Sequence, residues 1–539
     1  MPDAQTTGLG LLVVGLDGVC RRVLDPLIES GVVPNLAALR AEAAAGPLQS
    51  QLPPWTPSAW PSLYTGKNPG KHGVYDFLRF DGYDWDVVNR SAVDARAVWE
   101  LLSMAGYESV VLNVPVTSPP RPFDGTLVPG YMAPEAPDCH PAGTWDELDA
   151  ELGGYRLYAE AGSGEMSRDQ RVDSYRELIG MRGEAFRYLL GDREPAFGFV
   201  QFQQTDTVFH EYPDDDAAIE AVYRAVDEEV GAIVEACDPD LTLVVSDHGL
   251  GPMDREFRVN EFLRDRGHAA TTAGDGGMPS WSSLASSQLR DHTDDAPSSA
   301  AARALELAAG IGLTGQRIAS ALGRLGLADA VADRVPDGLV RASTERVDFA
   351  ASTAYMRSRT EMGVRLNVAG REPDGVVDPE DYEAVRGELI EALSAVRTPD
   401  GEPCFEQVLP REAVFDGPHV EAAPDIITVP TGFNHYLSAS LRGEWFAPPS
   451  EPWEHKREGF VMAAGDDVAP REIEGHIFDI APTILAAFGV ATDREMDGDP
   501  LPVVDPVGRQ SYPTFDADGT TVTDSATLEQ RLADLGYLE

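Results

Sequence analysis

The sequence predicts an α/β fold in which a mostly parallel sheet carries helices on both faces. Apolar runs of strand length recur along the chain, at residues 10–16, 109–114, 196–202 and 241–246. Residues 10–16 are continuously apolar, which is typical of a parallel strand buried on both faces, and the other three runs are mainly apolar. The segments between them are long enough for helices, and this alternation indicates a sheet covered on both sides. With 539 residues, of which 43% are hydrophobic, one large domain with insertions or two domains are expected.

The predicted elements follow in order from the first strand. Residues 10–16 end in Asp17-Gly18, and one helix is expected from about residue 22 to residue 44. Residues 53–66 are predicted to form a turn that feeds a helix, with Thr56 as N-cap and Pro57 in the first helical position. Later strands are predicted at residues 353–356, 364–368, 425–429 and 459–465, and later helices at 478–485 and 527–535.

The composition changes between residues 267 and 340. Gly, Ser and Ala dominate at first, and residues 301–327 form a helical pattern rich in Ala and Leu. We therefore expect four segments: a first core part at 1–266, an inserted helical cap at 267–340, a second core part at 341–510 and a polar tail at 511–539.

The charge of the chain is strongly acidic. The formal net charge is −48, the acid is spread along the whole chain, and the only lysines are Lys67, Lys71 and Lys456. This pattern is typical of the acidic surface of a salt-adapted organism, in which carboxylates repel one another less under strong screening. Nucleic acid is not an expected partner, because phosphates are bound by Lys and Arg.

Cysteine usage and hydropathy favour a cytoplasmic protein. The four cysteines are scattered and form no C-x-x-C pair, so neither a disulfide framework nor a zinc ribbon is expected. No apolar run approaches the roughly 20 residues of a membrane span, and residues 1–10 lack the basic start of a signal peptide. The sequence does not predict an oligomeric state.

Polar residues follow the predicted strands where a catalytic site is expected. Asp17 ends the first strand, Asp206 follows the third, and Asp247-His248 follows the fourth. In open α/β sheets, sites form outside the carboxyl ends of the strands, so these side chains are expected to converge. Asp206 and His210 are four residues apart and share one helical face, where they can bind one metal ion. Asp and His side chains with a hydroxyl suit zinc or another borderline divalent ion.

Thr56 is the candidate nucleophile. A helix N-terminus can hold a phosphate or sulfate group, and a hydroxyl in that position would lie beside the bound anion. Simpler alternatives exist for each motif: an ordinary N-cap for Thr56, a solvated helix end for Asp206 and His210, and a turn or cap for Asp247-His248.

Several motifs together resemble the alkaline phosphatase superfamily, and most closely its type I phosphodiesterase/nucleotide pyrophosphatase branch. The resemblance covers roughly residues 11–501, with 267–340 unmatched. It is carried by Val14-Gly15-Leu16-Asp17-Gly18, Pro54-Trp55-Thr56-Pro57, Tyr64-Thr65-Gly66, Asn68-Pro69-Gly70-Lys71-His72-Gly73, Asp206-Thr207-Val208-Phe209-His210, Ser246-Asp247-His248-Gly249, Val364-Arg365-Leu366-Asn367-Val368 and Asp479-Ile480-Ala481-Pro482-Thr483.

The resemblance implies an alkaline phosphatase-like fold and a metal-dependent phosphoric ester hydrolase. It implies two divalent ions, zinc with manganese as the alternative, and a covalent phospho-threonine intermediate on Thr56. The backbone N–H groups after Thr56 are expected to stabilise the phosphoryl oxygens. The first ion would be held by Asp17, Thr56, Asp247 and His248, and the second by Asp206, His210 and a later histidine. For that later histidine we choose His455, with His435 and His419 as competitors, whereas His72 is expected to be structural.

The substrate is expected to be a small-molecule or lipid-linked phosphate ester. Nucleotide pyrophosphatases carry an Asn about twenty residues after the nucleophile, where this chain has Tyr75-Asp76-Phe77, which argues against nucleotide diesters. Lys71 or Arg79 could bind the anion instead. A phosphotransferase or phosphomonoesterase of the same superfamily, or a non-catalytic metal-binding pseudoenzyme, is the alternative. A sulfatase is disfavoured, because Cys237-Asp238-Pro239 lacks the Arg of that motif.

Overall fold

The computed structural model of the chain describes residues 9–159, 166–273 and 345–513. Its α-helices are α1 Arg21–Glu29, α2 Pro34–Glu42, α3 Thr56–Thr65, α4 Pro69–His72, α5 Val98–Met104, α6 Thr144–Leu152, α7 Arg168–Arg193, α8 Gln204–Glu211, α9 Asp216–Cys237, α10 Val259–Asp265, α11 Tyr382–Ser394 and α12 Ile480–Ala487.

The first twelve strands are β1 Leu11–Leu16, β2 Ala44–Gln49, β3 Leu78–Asp81, β4 Asp84–Val87, β5 Ser109–Leu112, β6 Gly125–Val128, β7 Phe197–Phe202, β8 Leu241–Val245, β9 Gly249–Pro252, β10 Arg255–Arg258, β11 Ala270–Ala273 and β12 Glu345–Asp348. The remaining strands are β13 Ala354–Tyr355, β14 Gly363–Leu366, β15 Phe405–Pro410, β16 Ile426–Pro430, β17 His435–Ser438, β18 Phe446–Ala447, β19 Trp453–Lys456, β20 Glu458–Gly465, β21 Arg471–Glu472, β22 Gly475–His476, β23 Thr492–Asp493 and β24 Arg509–Gln510.

A nine-stranded sheet forms the centre of the molecule. Its order is β21-β2-β20-β8-β1-β7-β5-β6, and β22 also pairs with β2. The run β8-β1-β7-β5-β6 is parallel throughout, and only β20 is antiparallel to its two neighbours. The predicted mostly parallel sheet is therefore confirmed. A smaller four-stranded sheet, β13-β14-β16-β15, is built by the second half of the chain.

The side chains of β1 show that helices cover both faces of the central sheet. Leu11 and Val13 belong to one buried cluster, which also contains residues of α3, α5 and α12. Leu12 and Val14 belong to another, which contains residues of α1, α7 and α9. Because successive side chains of a strand point to opposite faces, the two clusters are the two sides of the sheet. The predicted arrangement of helices is confirmed.

The prediction of a single helix at residues 22–44 is wrong. The structure has α1 and α2 instead, and β2 begins directly after them at Ala44. Gly31 has a φ of +73°, a left-handed conformation that ends a helix. Pro34 opens α2, where its missing N–H is tolerated.

Part of the predicted insertion lies within the described residues. β11 and β12 form an antiparallel pair, so Ala273 and Glu345, which flank the segment between these strands, are neighbours. The helices expected at 301–327 and 527–535 lie outside the described residues, and the division into four segments remains a prediction. Among the helices of residues 9–159, 166–273 and 345–513, none is both long and apolar enough to cross a bilayer.

Candidate active site

The carboxyl ends of three adjacent strands deliver most of the candidate residues. β8, β1 and β7 are neighbours in the sheet, and Asp247-His248, Asp17 and Asp206 follow them respectively. His455 arrives from β19, which pairs with β9 and places His455 opposite Leu250, two residues beyond His248. The turn after β1 needs glycine, because a Cβ on Gly18 would lie 2.9 Å from Asp206 Oδ1.

One group of side chains surrounds the Thr56 hydroxyl. Thr56 Oγ1 lies 3.4 Å from His248 Nε2. The same nitrogen lies 3.5 Å from Asp17 Oδ1 and 3.2 Å from Asp247 Oδ2. All four residues are at most 2% exposed. These are the four residues that the resemblance assigns to the first ion.

A second group adjoins the first. Asp206 Oδ2 lies 3.3 Å from His210 Nε2, one turn further along α8, and Asp206 Oδ1 lies 3.6 Å from His455 Nε2. The rings of His248 and His455 stack with centroids 3.6 Å apart. The candidate ligand atoms of Asp206, His248 and His455 all lie within 4.8 Å of one another. All seven predicted ligand residues therefore meet in one place.

Backbone carbonyls orient two of the histidines. His248 Nδ1 lies 3.1 Å from the carbonyl of Gly249, and His455 Nδ1 lies 3.0 Å from the carbonyl of Pro54. A carbonyl only accepts hydrogen bonds, so Nδ1 is the donor in both rings and Nε2 is the nitrogen that faces the site.

The histidines that competed with His455, and His72, lie in different surroundings. His419 pairs with Asp94 at 2.9 Å, and His435 lies on β17 at the edge of a neighbouring cavity. His72 is fully buried, with its Nε2 2.9 Å from Ser62 Oγ, and its Nδ1 accepts a hydrogen bond from Val74.

The two oxygens of Asp17 have different environments. Oδ2 accepts hydrogen bonds from Gln201 Nε2 at 2.7 Å and from Trp60 Nε1 at 3.2 Å. Asn113 in turn donates to Gln201 Oε1 at 2.9 Å. Oδ1 is buried and accepts no hydrogen bond from the described residues, and the same holds for Asp247 Oδ2. Buried carboxylate oxygens of this kind need a cation or a proton.

The pKa values follow from this crowding. Burial and the charge of Asp247 raise the pKa of Asp17 well above its usual range. Burial also raises the pKa of Asp247 to about 6, although His248 opposes the change. The pKa of Asp206 is lowered despite its burial, because His210 stabilises the carboxylate, and the pKa of His210 is raised to about 9 in return. Three buried carboxylates repel one another, so the donor set is suited to divalent cations.

Thr56 occupies a different helical position from the one expected. α3 begins at Thr56, and its N-cap is Trp55, whose backbone is extended. The hydroxyl faces His248 rather than capping the helix. The expectation that backbone N–H groups after Thr56 would hold the phosphoryl oxygens is also not met. Pro57 has no N–H, and those of Ser58 and Ala59 donate to the carbonyl of Trp55.

Two charged residues beside the cluster were not predicted. Glu454 is 0% exposed, and its carboxylate groups with His210 and His455 at ligand spacing. Arg359 lies 3.7 Å from Glu454 Oε2 and over the ring of Tyr436. Arg359, Glu454 and His455 line a cavity of about 20 Å³, together with mainly apolar side chains. For Glu454, the sequence signal that could have been used is its position directly before the candidate ligand His455.

The residues considered for anion binding lie in other environments. Lys71 pairs with Asp497, and Arg79 is exposed on β3. The Asp76 carboxylate accepts a hydrogen bond from the Thr360 hydroxyl at 2.5 Å, so it anchors the segment that carries Arg359.

Comparisons with known proteins agree with this architecture. Residues 11–460 match the sequence model of the family described as type I phosphodiesterase / nucleotide pyrophosphatase. The fold is similar to that of phosphonoacetate hydrolase from Sinorhizobium meliloti 1021 in complex with phosphonoformate, with a TM-score of 0.54, 16% identity, and coverage of 88% of this chain and 94% of that chain. A weaker similarity, with a TM-score of 0.48 and 12% identity, is to murine ectonucleotide pyrophosphatase / phosphodiesterase 5, covering 90% of this chain and 96% of that chain. A comparison of the sequence with curated proteins found no match.

Proposed function

The chain belongs to the type I phosphodiesterase/nucleotide pyrophosphatase family, a family of phosphoric ester hydrolases, and we propose that it cleaves its substrate with Thr56 as nucleophile and two divalent metal ions in the site. One observation carries this proposal. The buried Thr56 hydroxyl lies 3.4 Å from His248 Nε2, beside buried carboxylates and imidazoles that could hold metal ions.

The donor set divides between two ions. Asp17, Thr56, Asp247 and His248 would hold the first, and Asp206, His210 and His455 the second, with zinc as the first choice and manganese as the alternative. Divalent ions in such a pair lower the pKa of a bound hydroxyl and neutralise the charge that develops on a leaving oxygen.

The chain's own residues carry out the covalent chemistry. The Thr56 hydroxyl loses its proton to solvent and its Oγ1 attacks phosphorus, so that a Thr56–phosphorus ester bond forms. The bond from phosphorus to the leaving alcohol oxygen breaks, and that oxygen takes up a proton from water. Water then hydrolyses the phospho-threonine and restores the Thr56 hydroxyl. Trp60 and Gln201 keep Asp17 in one orientation, and the carbonyls of Gly249 and Pro54 do the same for His248 and His455.

A small-molecule phosphate ester is the proposed substrate, and a lipid-linked ester remains within this class. Nucleotide diesters are disfavoured, because Phe77 is fully buried in the hydrophobic core and offers no donor to a phosphate.

The four cysteines are all free thiols, which supports a reducing cytosol as the location.

Hydrolysis of bis-p-nitrophenyl phosphate and p-nitrophenyl phosphate tests the proposal. Both are assayed in molar KCl with Zn²⁺ or Mn²⁺, with and without a chelator, and with an acceptor alcohol. We expect chelator-sensitive release of p-nitrophenol, about two ions per chain in the active protein, and free phosphate or a phosphate monoester as product. Activity that a chelator leaves intact would contradict the two-ion mechanism. Transfer of the phosphoryl group mainly to the alcohol would identify a phosphotransferase instead.

A further inference from the structure

Glu454 is a buried carboxylate at the edge of the cluster. It precedes His455 on β19 and is 0% exposed. Its Oε1 lies 3.5 Å from His455 Nε2 and accepts a hydrogen bond from the backbone N–H of His455 at 3.0 Å. Its carboxylate, His210 and His455 offer ligand atoms that lie within 4.8 Å of one another. The side chain therefore reaches the same nitrogen that faces Asp206.

The second carboxylate oxygen provides an independent observation. Glu454 Oε2 is buried and accepts no hydrogen bond within the described part of the chain. Arg359 is near, but its Nη2 lies 3.7 Å away, beyond hydrogen-bond distance. A buried carboxylate is expected to be paired, hydrogen-bonded or bound to a metal, and the contact with Arg359 satisfies this requirement only partly.

We propose that Glu454 is a fourth protein ligand of the second ion, beside Asp206, His210 and His455, and that it makes this position select a six-coordinate ion such as Mn²⁺. This inference rests on the proposed function and deepens it, because it identifies the ion that suits the second position. The three residues assigned by resemblance do not include Glu454.

Coordination number is the physical reason for the selectivity. Catalytic zinc is usually held by three protein ligands, which leaves the fourth tetrahedral position open for substrate. A fourth protein ligand closes a tetrahedral zinc site, whereas an octahedral ion keeps two positions open. A second carboxylate also makes the donor set harder, which favours manganese relative to a site with one carboxylate and two imidazoles.

The test is direct metal binding by the full-length chain. The metal-stripped protein is titrated calorimetrically with Mn²⁺ alone and with Zn²⁺ alone, for the wild type, Glu454→Gln and Arg359→Gln. We expect Glu454→Gln to weaken Mn²⁺ binding at one of the two sites by at least the roughly 10- to 100-fold that loss of a ligand's hydrogen-bond partner costs, and to weaken Zn²⁺ binding less. Arg359→Gln is the matched control, since it removes the charged neighbour of Glu454 but no ligand, and it should keep both ions.

Equal Mn²⁺ affinity in the wild type and Glu454→Gln would overturn the proposal, as would an equal loss in Arg359→Gln. His455→Ala separates this failure from failure of the proposed function. If His455→Ala loses one ion and Glu454→Gln loses none, only the role proposed for Glu454 is wrong. If neither variant loses an ion, the assignment of a second ion to this position is wrong.

A crystal structure of the wild-type chain with Mn²⁺ gives a second measurement that does not depend on the folding of a variant. A Glu454 oxygen in direct contact with the ion is the expected result. An ion bound by the other three residues, with Glu454 turned toward Arg359, would contradict the inference.

Discussion

The two carboxylate oxygens of Asp17 have different roles: one faces the cluster of candidate ligands, and the other accepts hydrogen bonds from neighbouring side chains. Oδ2 is held by Gln201 and Trp60, and Oδ1 is left facing His248. Residues that orient a ligand without touching the ion influence affinity strongly, because they fix the position of the carboxylate before the ion binds.

We therefore predict that Gln201→Leu weakens divalent ion binding by about 10- to 100-fold at one of the two positions. The substitution removes the 2.7 Å hydrogen bond to Asp17 while keeping a side chain of similar size. Titration calorimetry with Mn²⁺ measures the effect. Gln510→Leu makes the same chemical change at an exposed position on β24 and should bind like the wild type. Identical affinities in the two variants would show that Gln201 does not position Asp17.

Most of the seven proposed ligand residues could be predicted from the sequence, because they follow a predicted strand or belong to a short motif, whereas His455 was chosen through the family resemblance. Asp17 and Asp247 follow mainly apolar runs, and Asp206 and His210 share a helical face. Glu454 and Arg359 could not be predicted in the same way. The pairing of β19 with β9 brings both Glu454 and His455 to the cluster, but the resemblance assigns a role only to the histidine.

At the scale of elements, the segment 358–360 is anchored to the turn before β3. Thr360 donates its hydroxyl hydrogen bond to Asp76, and Ser358 contacts Thr360 at 2.8 Å. Burial, reinforced by the charge of Glu361, raises the pKa of Asp76 from its ordinary 3.8 to about 6. Because the folded pKa lies above the unfolded one, the contribution of Asp76 to stability is fully present below pH 3.8 and is lost as the pH rises through about 6.

Asp76→Asn is accordingly expected to raise the free energy of unfolding at pH 8 by on the order of 2 kcal/mol, because an amide cannot ionise but can still accept the Thr360 hydrogen bond. At pH 4 the increase in the free energy of unfolding should nearly vanish. Denaturant unfolding of the variant and the wild type at both pH values measures this. Asp84→Asn alters an exposed carboxylate on β4 and serves as the control. An Asp76→Asn gain that is equal at both pH values would contradict the assignment.

The strands were easier to predict than the helices. β1, β7, β8 and β20 each lie within about one residue of the predicted run, because a strand buried on both faces is a mainly apolar segment. The boundary between α1 and α2 was missed, although Gly31 and Pro34 mark it, because the apolar positions on both sides continue one helical pattern. The antiparallel pairing of β11 with β12 depends on residues far apart in sequence, and no local pattern predicts it.

Net charge is the dominant electrostatic feature of the whole molecule. The chain has 90 acidic and 42 basic residues, so most acidic groups have no basic partner available. Surface ion pairs weaken with salt, but each contributes only about 0–1 kcal/mol. Repulsion among the excess carboxylates is therefore expected to outweigh them.

The melting temperature is expected to rise markedly between dilute buffer and molar KCl, because the Debye length falls to about 3 Å at 1 M and screens this repulsion. Thermal unfolding at fixed pH measures it, and NaCl at equal ionic strength should act similarly if screening is the cause. Sucrose at matched water activity is the control for solvent exclusion. A melting temperature independent of salt would rule out a salt-adapted surface.

The central claim is that the Thr56 hydroxyl attacks the phosphoryl group. Thr56→Ser keeps a hydroxyl beside His248, whereas Thr56→Asn removes the hydroxyl and introduces an uncharged amide in its place. The deciding measurement is the rate of phosphate-ester hydrolysis by these two variants with saturating divalent ion, each checked for an intact fold. The account predicts substantial activity in Thr56→Ser and a loss of several orders of magnitude in Thr56→Asn. Equal rates in the two variants would contradict it, because the hydroxyl would then have no part in the reaction.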